Sequence, residues 1–158
     1  MNRLLPPAFA VAFLFSLLAL SHAGLSAPAA QFPSNLPGGG VIIFAPEPYA
    51  WRVWPHGKIE FSFDSSHTWE QQKSGVTADL TAGSAPTSKV CWIVGKAGTI
   101  LLTTDRGKHW NKLASPTNED IEGVNAEDAR RASIWTPSHK HSFATNDAGA
   151  TWSTNDSK

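Results

Sequence analysis

The 158-residue chain balances 13 Lys and Arg against 13 Asp and Glu, so its formal net charge is zero. That argues against a nucleic-acid binder, which normally needs a basic face to neutralise phosphates. With 41% hydrophobic and 16% charged residues, the composition is that of a folded chain and not of a disordered one.

The N-terminus reads as an export signal. Arg3 supplies a positive start, Ala8–Leu20 an apolar run, and Ser21-His22-Ala23 small residues at the −3 and −1 positions before Gly24. An uncleaved anchor is the competing reading. The run is shorter than the roughly 20 apolar residues that span a bilayer, and Pro6-Pro7 blocks its extension backwards. Residues 1–23 are therefore expected to be a signal peptide. The mature chain is expected to be secreted or periplasmic, without a stable membrane span.

Residues 24–50 are rich in Ala, Pro and Gly and read as a linker. Within them, 41–45 is the exception: Val41-Ile42-Ile43-Phe44 can form a first strand. The folded domain is expected over 51–158.

Two series of tryptophans set a period in that domain. Trp69, Trp110 and Trp152 are 41 and 42 residues apart; Trp51, Trp92 and Trp135 are 41 and 43 apart. Only Trp54, of seven tryptophans, falls outside both series. A period near 40 residues is the mark of a stacked β-architecture.

The residues before the first series repeat too. Ser62-Phe63-Asp64-Ser65-Ser66-His67-Thr68-Trp69 is followed by Thr103-Thr104-Asp105-Arg106-Gly107-Lys108-His109-Trp110, then by Thr145-Asn146-Asp147-Ala148-Gly149-Ala150-Thr151-Trp152. Asp accepts backbone N–H bonds across a tight turn, and Ser or Thr adds a second local bond. Gly supplies a positive φ where the chain reverses. Trp opens the next strand with a large apolar surface. Ser66 departs from the pattern and would carry about 1 kcal/mol of strain at that site.

The flanks read as strands. Lys58–Ser62 alternates apolar with polar, Trp92–Gly95 ends at a glycine, and Thr99–Thr103 runs into the Asp turn. His141–Thr145 puts Phe143 out of register with Ile59 and Ile100, which a bulge or a degenerate terminal strand would explain. Upstream strands are expected at Gly75–Leu80 and Asp120–Asn125, and a helical turn at most at Asn125–Arg131. Four strands per 40-residue repeat make a propeller blade. The expected fold is all-β: a partial β-propeller of about three four-stranded blades.

The shared pattern, Ser/Thr-x-Asp-x-Gly-x-Thr-Trp, resembles the Asp-box or BNR repeat of sialidases, sortilin-type receptors and the photosystem II stability/assembly factor family. The longer run from Trp92 through Val94-Gly95, Gly98, Ile100 and Thr103 to Asp105, Gly107 and Trp110 is most similar to the assembly-factor family. The resemblance covers about residues 51–154. It implies a β-propeller that binds other proteins on the lumenal or periplasmic side of a membrane. The chain departs from that family in having about three blades where its photosystem members have seven. After residue 23 it has four arginines, Arg52, Arg106, Arg130 and Arg131, so it lacks the makings of a broad basic patch. No photosynthetic role is inferred.

Catalysis finds little support in the residues. A sialidase-like hydrolase needs an arginine cluster, a tyrosine nucleophile and a separate acid, whereas Tyr49 is the one tyrosine and it ends the linker. Asp64, Asp105 and Asp147 recur at the same place on successive blades, so they are read as turn staples. His139 and His141, two apart, are expected on one strand face; without an evident third ligand they read as surface histidines and not as a metal site. Cys91 lies in the apolar run Val90–Val94 and reads as an inert buried thiol. No catalytic residue, metal or cofactor is expected.

Arg130 and Arg131, in a polar loop, and Trp54, outside the periodic series, are the candidate partner contacts. The function expected is that of an exported, non-catalytic protein-interaction or assembly module, the alternative being a glycan-binding or sialidase-like propeller. Closed propellers have roughly 4–8 blades. Three blades are too few to close alone, so a homo-oligomer that completes the ring, for example a dimer, is one expectation, and a truncated or degenerate relative of a longer propeller is the other.

Overall fold

A computed structural model describes residues 34–154. The signal-peptide reading and the last four residues lie outside that range.

The described chain is all-β, in three antiparallel blades. Blade 1 contains β1 (Ser34–Leu36), β2 (Gly40–Phe44), β3 (Ala50–Val53), β4 (Ile59–Ser62) and β5 (Glu70–Gln72) in sheet order. Blade 2 contains β6 (Leu80–Ser84), β7 (Cys91–Gly95), β8 (Ile100–Thr103) and β9 (Asn111–Lys112). Blade 3 contains β10 (Gly123–Ala126), β11 (Ala132–Trp135), β12 (Ser142–Thr145) and β13 (Ser153–Thr154). β1 and β2 lie inside the segment read as linker, and β2 is the strand legible at 41–45. β6 packs between β2 and β10, and β1 pairs with the edge of β2 opposite β3, in register Ser34 with Ile42 and Leu36 with Gly40.

Alternation across each pleat sends successive side chains to opposite faces. In blade 1, Val41, Ile43, Trp51, Val53, Ile59 and Phe61 share the face toward blade 2, where they bury Cys91, Ile93 and Leu101. In blade 2 the opposite face presents Trp92, Val94, Ile100 and Leu102 to Val124, Ile134 and Phe143 of blade 3. The core is thus two slabs between three sheets. Strands buried on both faces read as continuous apolar runs, as Cys91–Gly95 and Ile100–Leu102 do.

Several expectations shift. The upstream strands begin later, at Leu80 and Gly123, because the preceding residues bind the hairpin of the previous blade. Asp79 Oδ1 accepts from His56 N and Asp120 Oδ1 from Ala97 N, both at 3.0 Å. Asn125 and Ala126 are strand, and the loop to Arg131 is bent, with no helical turn. β12 pairs with β11 without a bulge, Ile134 opposite Phe143, so Phe143 stands where Leu101 stands in β8. The hairpin before β12 is one residue longer, which moves Trp135 out of its series. By register it occupies the place of Val94, and Ser133 that of Trp92. His139 ends a 3-10 turn at φ 53° and stacks on Trp135, while His141 precedes β12. The two histidines therefore do not share a strand face.

Candidate functional site

Each Asp-box closes on itself. In the second, Thr103 Oγ1 donates to Asp105 Oδ1 (2.9 Å) and accepts from Gly107 N (2.8 Å), while His109 N and Nδ1 donate to the two carboxylate oxygens at 3.0 and 2.6 Å. Thr145, Asp147, Gly149 and Thr151 repeat the arrangement, as do Ser62, Asp64, Ser66 and Thr68. The bonds hold the charged carboxylates. The Thr68 and Thr151 hydroxyls and N–H groups pull Asp64 and Asp147 down to about 2. Asp105 also falls to about 2, its desolvation being outweighed by His109 and Thr103. Carboxylates committed to their own turns are fold elements.

The Asp-box tryptophans join blades. Trp110 Nε1 donates to Gln72 Oε1 of blade 1 (3.2 Å), and Trp152 Nε1 to the Ala114 carbonyl of blade 2 (3.1 Å). Trp69 belongs to the first blade and meets a side chain of its own sheet instead. The guanidinium carbon of Arg52 lies 4.3 Å from the Trp69 ring centre and 5.6 Å from that of Trp54. Arg52 pairs with Glu60, whose carboxylate also accepts from Trp54 Nε1 (2.9 Å) and takes Lys58 Nζ at 3.1 Å. Burial works to raise the Glu60 carboxyl, but the Arg52, Lys58 and Trp54 hydrogen bonds prevail and hold it below the usual range.

These residues lie on the outer face of blade 1, turned away from blade 2. Phe44 shares that face and is 46% exposed; Phe63, just beyond β4, is 49% exposed. They are the two exposed large hydrophobics among the described residues. Sequence reasoning singled out Trp54 but missed Arg52, Glu60 and Trp69 as its neighbours. Alignment of the repeats would have found them, since Arg52 and Glu60 stand where Ile93 and Leu101 stand one period on. A shallow cleft of about 600 Å³ opens alongside, with His56, Lys58 and Lys73 in its lining.

The other candidates are dispersed. Arg131 is tied to Asp128 (2.8 Å) and Glu127 (3.4 Å) in its own loop, and Arg130 is exposed on blade 3. Tyr49 lies under Arg106, 4.8 Å from the guanidinium carbon, and stacks on Phe61. Among the described residues no three His, Cys, Asp or Glu side chains gather as metal ligands.

No protein-family model and no curated protein matches the sequence. Solved structures do. YCF48 bound to a D1 peptide superposes with a TM-score of 0.63 at 20% identity, over 82% of this chain and 47% of that one. YCF48 from Cyanidioschyzon merolae gives 0.63 at 26% identity, over 80% and 40%. The chain has a YCF48-like propeller fold. It spans less than half the length of those YCF48 chains. A GH74 xyloglucanase from Xanthomonas campestris also superposes, with a TM-score of 0.60 at 13% identity over 74% of this chain and 23% of that one. At that identity the likeness is one of fold alone, since a propeller carries many unrelated functions.

Proposed function

We propose that the chain is an exported, non-catalytic protein-interaction or assembly module, and that the outer face of blade 1 is where a protein partner docks. The observation that carries this reading is the Arg52 guanidinium set between Trp54 and Trp69, with Phe44 exposed on the same face. Trp and Arg dominate binding hot spots, and aromatic residues are enriched at the centre of interfaces. The Asp-box carboxylates, which would be the first candidates for chemistry, are taken up by turns. A structural neighbour, YCF48, is seen with a bound D1 peptide, which supports peptide or protein recognition by this fold. The expectation of export rests on the signal-like segment 1–23. Trp54 belongs to the docking face; Arg130 is an accessory contact on blade 3.

The test is quantitative affinity capture from periplasmic or extracellular extract, run in parallel with wild type and the double variant Trp54→Ala/Trp69→Ala. The reading expects one protein recovered by wild type and reduced at least tenfold by the variant, with fold retention checked by circular dichroism. Glycoside turnover that disappears in Tyr49→Phe would overturn it in favour of a hydrolase.

A further inference from the structure

We infer that the three-blade arc is capped at both ends: neither outer face accepts a further propeller blade, from a second copy or from another chain, in the geometry that joins its own blades. The inference goes beyond the docking role above and does not depend on it.

Two junctions within the chain show what blade stacking requires. On the leading side, an apolar cross-strand pair faces the preceding blade: Ile93 with Leu101 in blade 2, Ile134 with Phe143 in blade 3. On the trailing side, a tryptophan and three apolar partners face the next blade: Trp51, Val53, Ile59 and Phe61, then Trp92, Val94, Ile100 and Leu102. The β3–β4 and β7–β8 hairpins then each present a glycine at positive φ, Gly57 and Gly98. A Cβ on Gly57 would collide with the Val76 carbonyl, and one on Gly98, the equivalent glycine of the next blade, with the Thr117 carbonyl. Both carbonyls belong to the chain entering the next blade, and backbone cannot yield there as a side-chain tip can.

Each outer face breaks these requirements. At the leading end, Arg52 and Glu60 replace the apolar pair, and Arg52 covers the Trp69 ring that a preceding blade would otherwise meet. Glu60 is already buried, so stacking a blade there would strip the remaining water from Arg52 and from Lys58 beside it, and desolvation can exceed what the pairing returns. The glycine of the Asp-box is lost as well. Gly107 lies under Gln72, and Gly149 lies 2.7 Å, measured from the place of a Cβ, from Leu113 Cδ1. Ser66 holds the equivalent position at φ 69° with a side chain in that space.

At the trailing end, Ser133, Ser142 and Ala144 take the places of Trp92, Ile100 and Leu102, leaving Trp135 as the one large apolar side chain of the four. His139 takes the place of Gly57 and Gly98 at φ 53°, and its ring lies 5.4 Å from that of Trp135, nearly parallel at 8°. The carbonyl of an entering chain would have no room beside it. Repeat proteins protect their ends with terminal repeats whose outer faces are polar, and sheets guard their edges in the same spirit. The ring-closing dimer suggested by blade count alone would have to join these two modified faces.

The experiment is light scattering from 10 to 200 micromolar on wild type and on Arg52→Ile/Glu60→Leu/His139→Gly. Lysine cross-linking of mixed isotope-labelled copies is read for links between Lys58 or Lys73 of one copy and Lys140 of the other. Wild type is expected to be free of such links at every concentration, as a monomer or as a dimer linked elsewhere. The triple variant, still β-rich by circular dichroism, is expected to gain mass with concentration and to acquire them. Wild-type dimers carrying blade 1 to blade 3 links would overturn the inference. So would a folded triple variant that stays monomeric, because the named residues would then not be what closes the faces. Loss of β-structure in the triple variant leaves the wild-type cross-links to decide. Partner capture by the blade 1 face is read in a separate assay, so either reading can fail without the other.

Discussion

The Arg52 guanidinium carbon stands 4.3 Å from the centre of the Trp69 ring, in the position where Trp110 and Trp152 are held by the blade before them. One repeated residue therefore has two different employments. Trp110 packs against the buried slab between blades 1 and 2 and bonds to Gln72; Trp69 holds a cation of its own sheet. Trp110→Ala is expected to cost about 3 kcal/mol, as large-to-small core changes do. Trp69→Ala should cost about 1 kcal/mol, the size of a partly exposed cation–π contact. Urea denaturation of the two variants would rank them, and equal costs would contradict the assignment.

Ser66 carries a testable strain. It sits at φ 69°, a conformation that costs a residue with a Cβ roughly 1 kcal/mol. Ser66→Gly keeps the Ser66 N to Ser62 Oγ bond, which is made by the backbone. It should stabilise the fold by about 0.5 kcal/mol, relief of strain being partly offset by the flexibility glycine adds to the unfolded chain. The reverse change in the second blade, Gly107→Ser, should destabilise, because Gln72 lies over that site. Melting temperatures moving in opposite directions would check both.

The Asp-box turns were legible because their chemistry is local: each aspartate binds residues two to four positions away. Blade-to-blade relationships were less so. Counting tryptophans placed Trp135 with Trp51 and Trp92, but an added residue in the hairpin before β12 puts Ser133 in that register. Period alone cannot see an insertion. The strands expected to start at Gly75 and Asp120 begin at Leu80 and Gly123, since Asp79 and Asp120 serve the hairpin of the preceding blade. That contact spans 23 residues and leaves no local pattern. The pair of Arg52 and Glu60 was visible as two polar residues in an otherwise apolar repeat position. Its meaning needed the knowledge that no described blade lies over that face.

Trp51 and Trp92 share a register position and full burial but differ at the indole nitrogen. Trp92 Nε1 donates to the Asp128 carbonyl at 2.9 Å, whereas Trp51 Nε1 is buried with no partner among the described residues. An unmet buried donor costs about 1–3 kcal/mol, and a satisfied one contributes about 1. Replacing each by Phe removes similar volume, so the difference between the variants isolates the nitrogen. Trp92→Phe should lose at least 1 kcal/mol more than Trp51→Phe in chemical denaturation.

Cys91 is fully buried, and desolvation pushes its thiol well above the ordinary range. Thiolate is the reactive form. In native protein at pH 8 an aromatic disulfide reagent should therefore label less than a tenth of the thiol in an hour, while unfolding in guanidinium should make labelling complete. Rapid native labelling would mean that the slab between blades 1 and 2 opens.

Acid should unfold the arc through its turns. Asp64, Asp105 and Asp147 are held at about 2 in the folded state, below the ordinary aspartate value of about 3.9 expected for the unfolded chain. Between those values the unfolded state binds more protons, so stability rises with pH through that window. The contribution is complete above about pH 5 and is lost as pH falls from about 4 toward 2. Asp79, held low first by His56 N–H, and Asp128, held low first by Arg130 N–H, add to the slope with the same sign. Urea midpoints measured from pH 6 to pH 2.5 should be level down to about pH 5 and then decline. The triple variant Asp64→Asn/Asp105→Asn/Asp147→Asn should start lower and decline less, since three of the groups that take up protons are gone. A wild-type decline centred above pH 5 would point instead to a histidine or a buried carboxylate and would remove the Asp-boxes from the account.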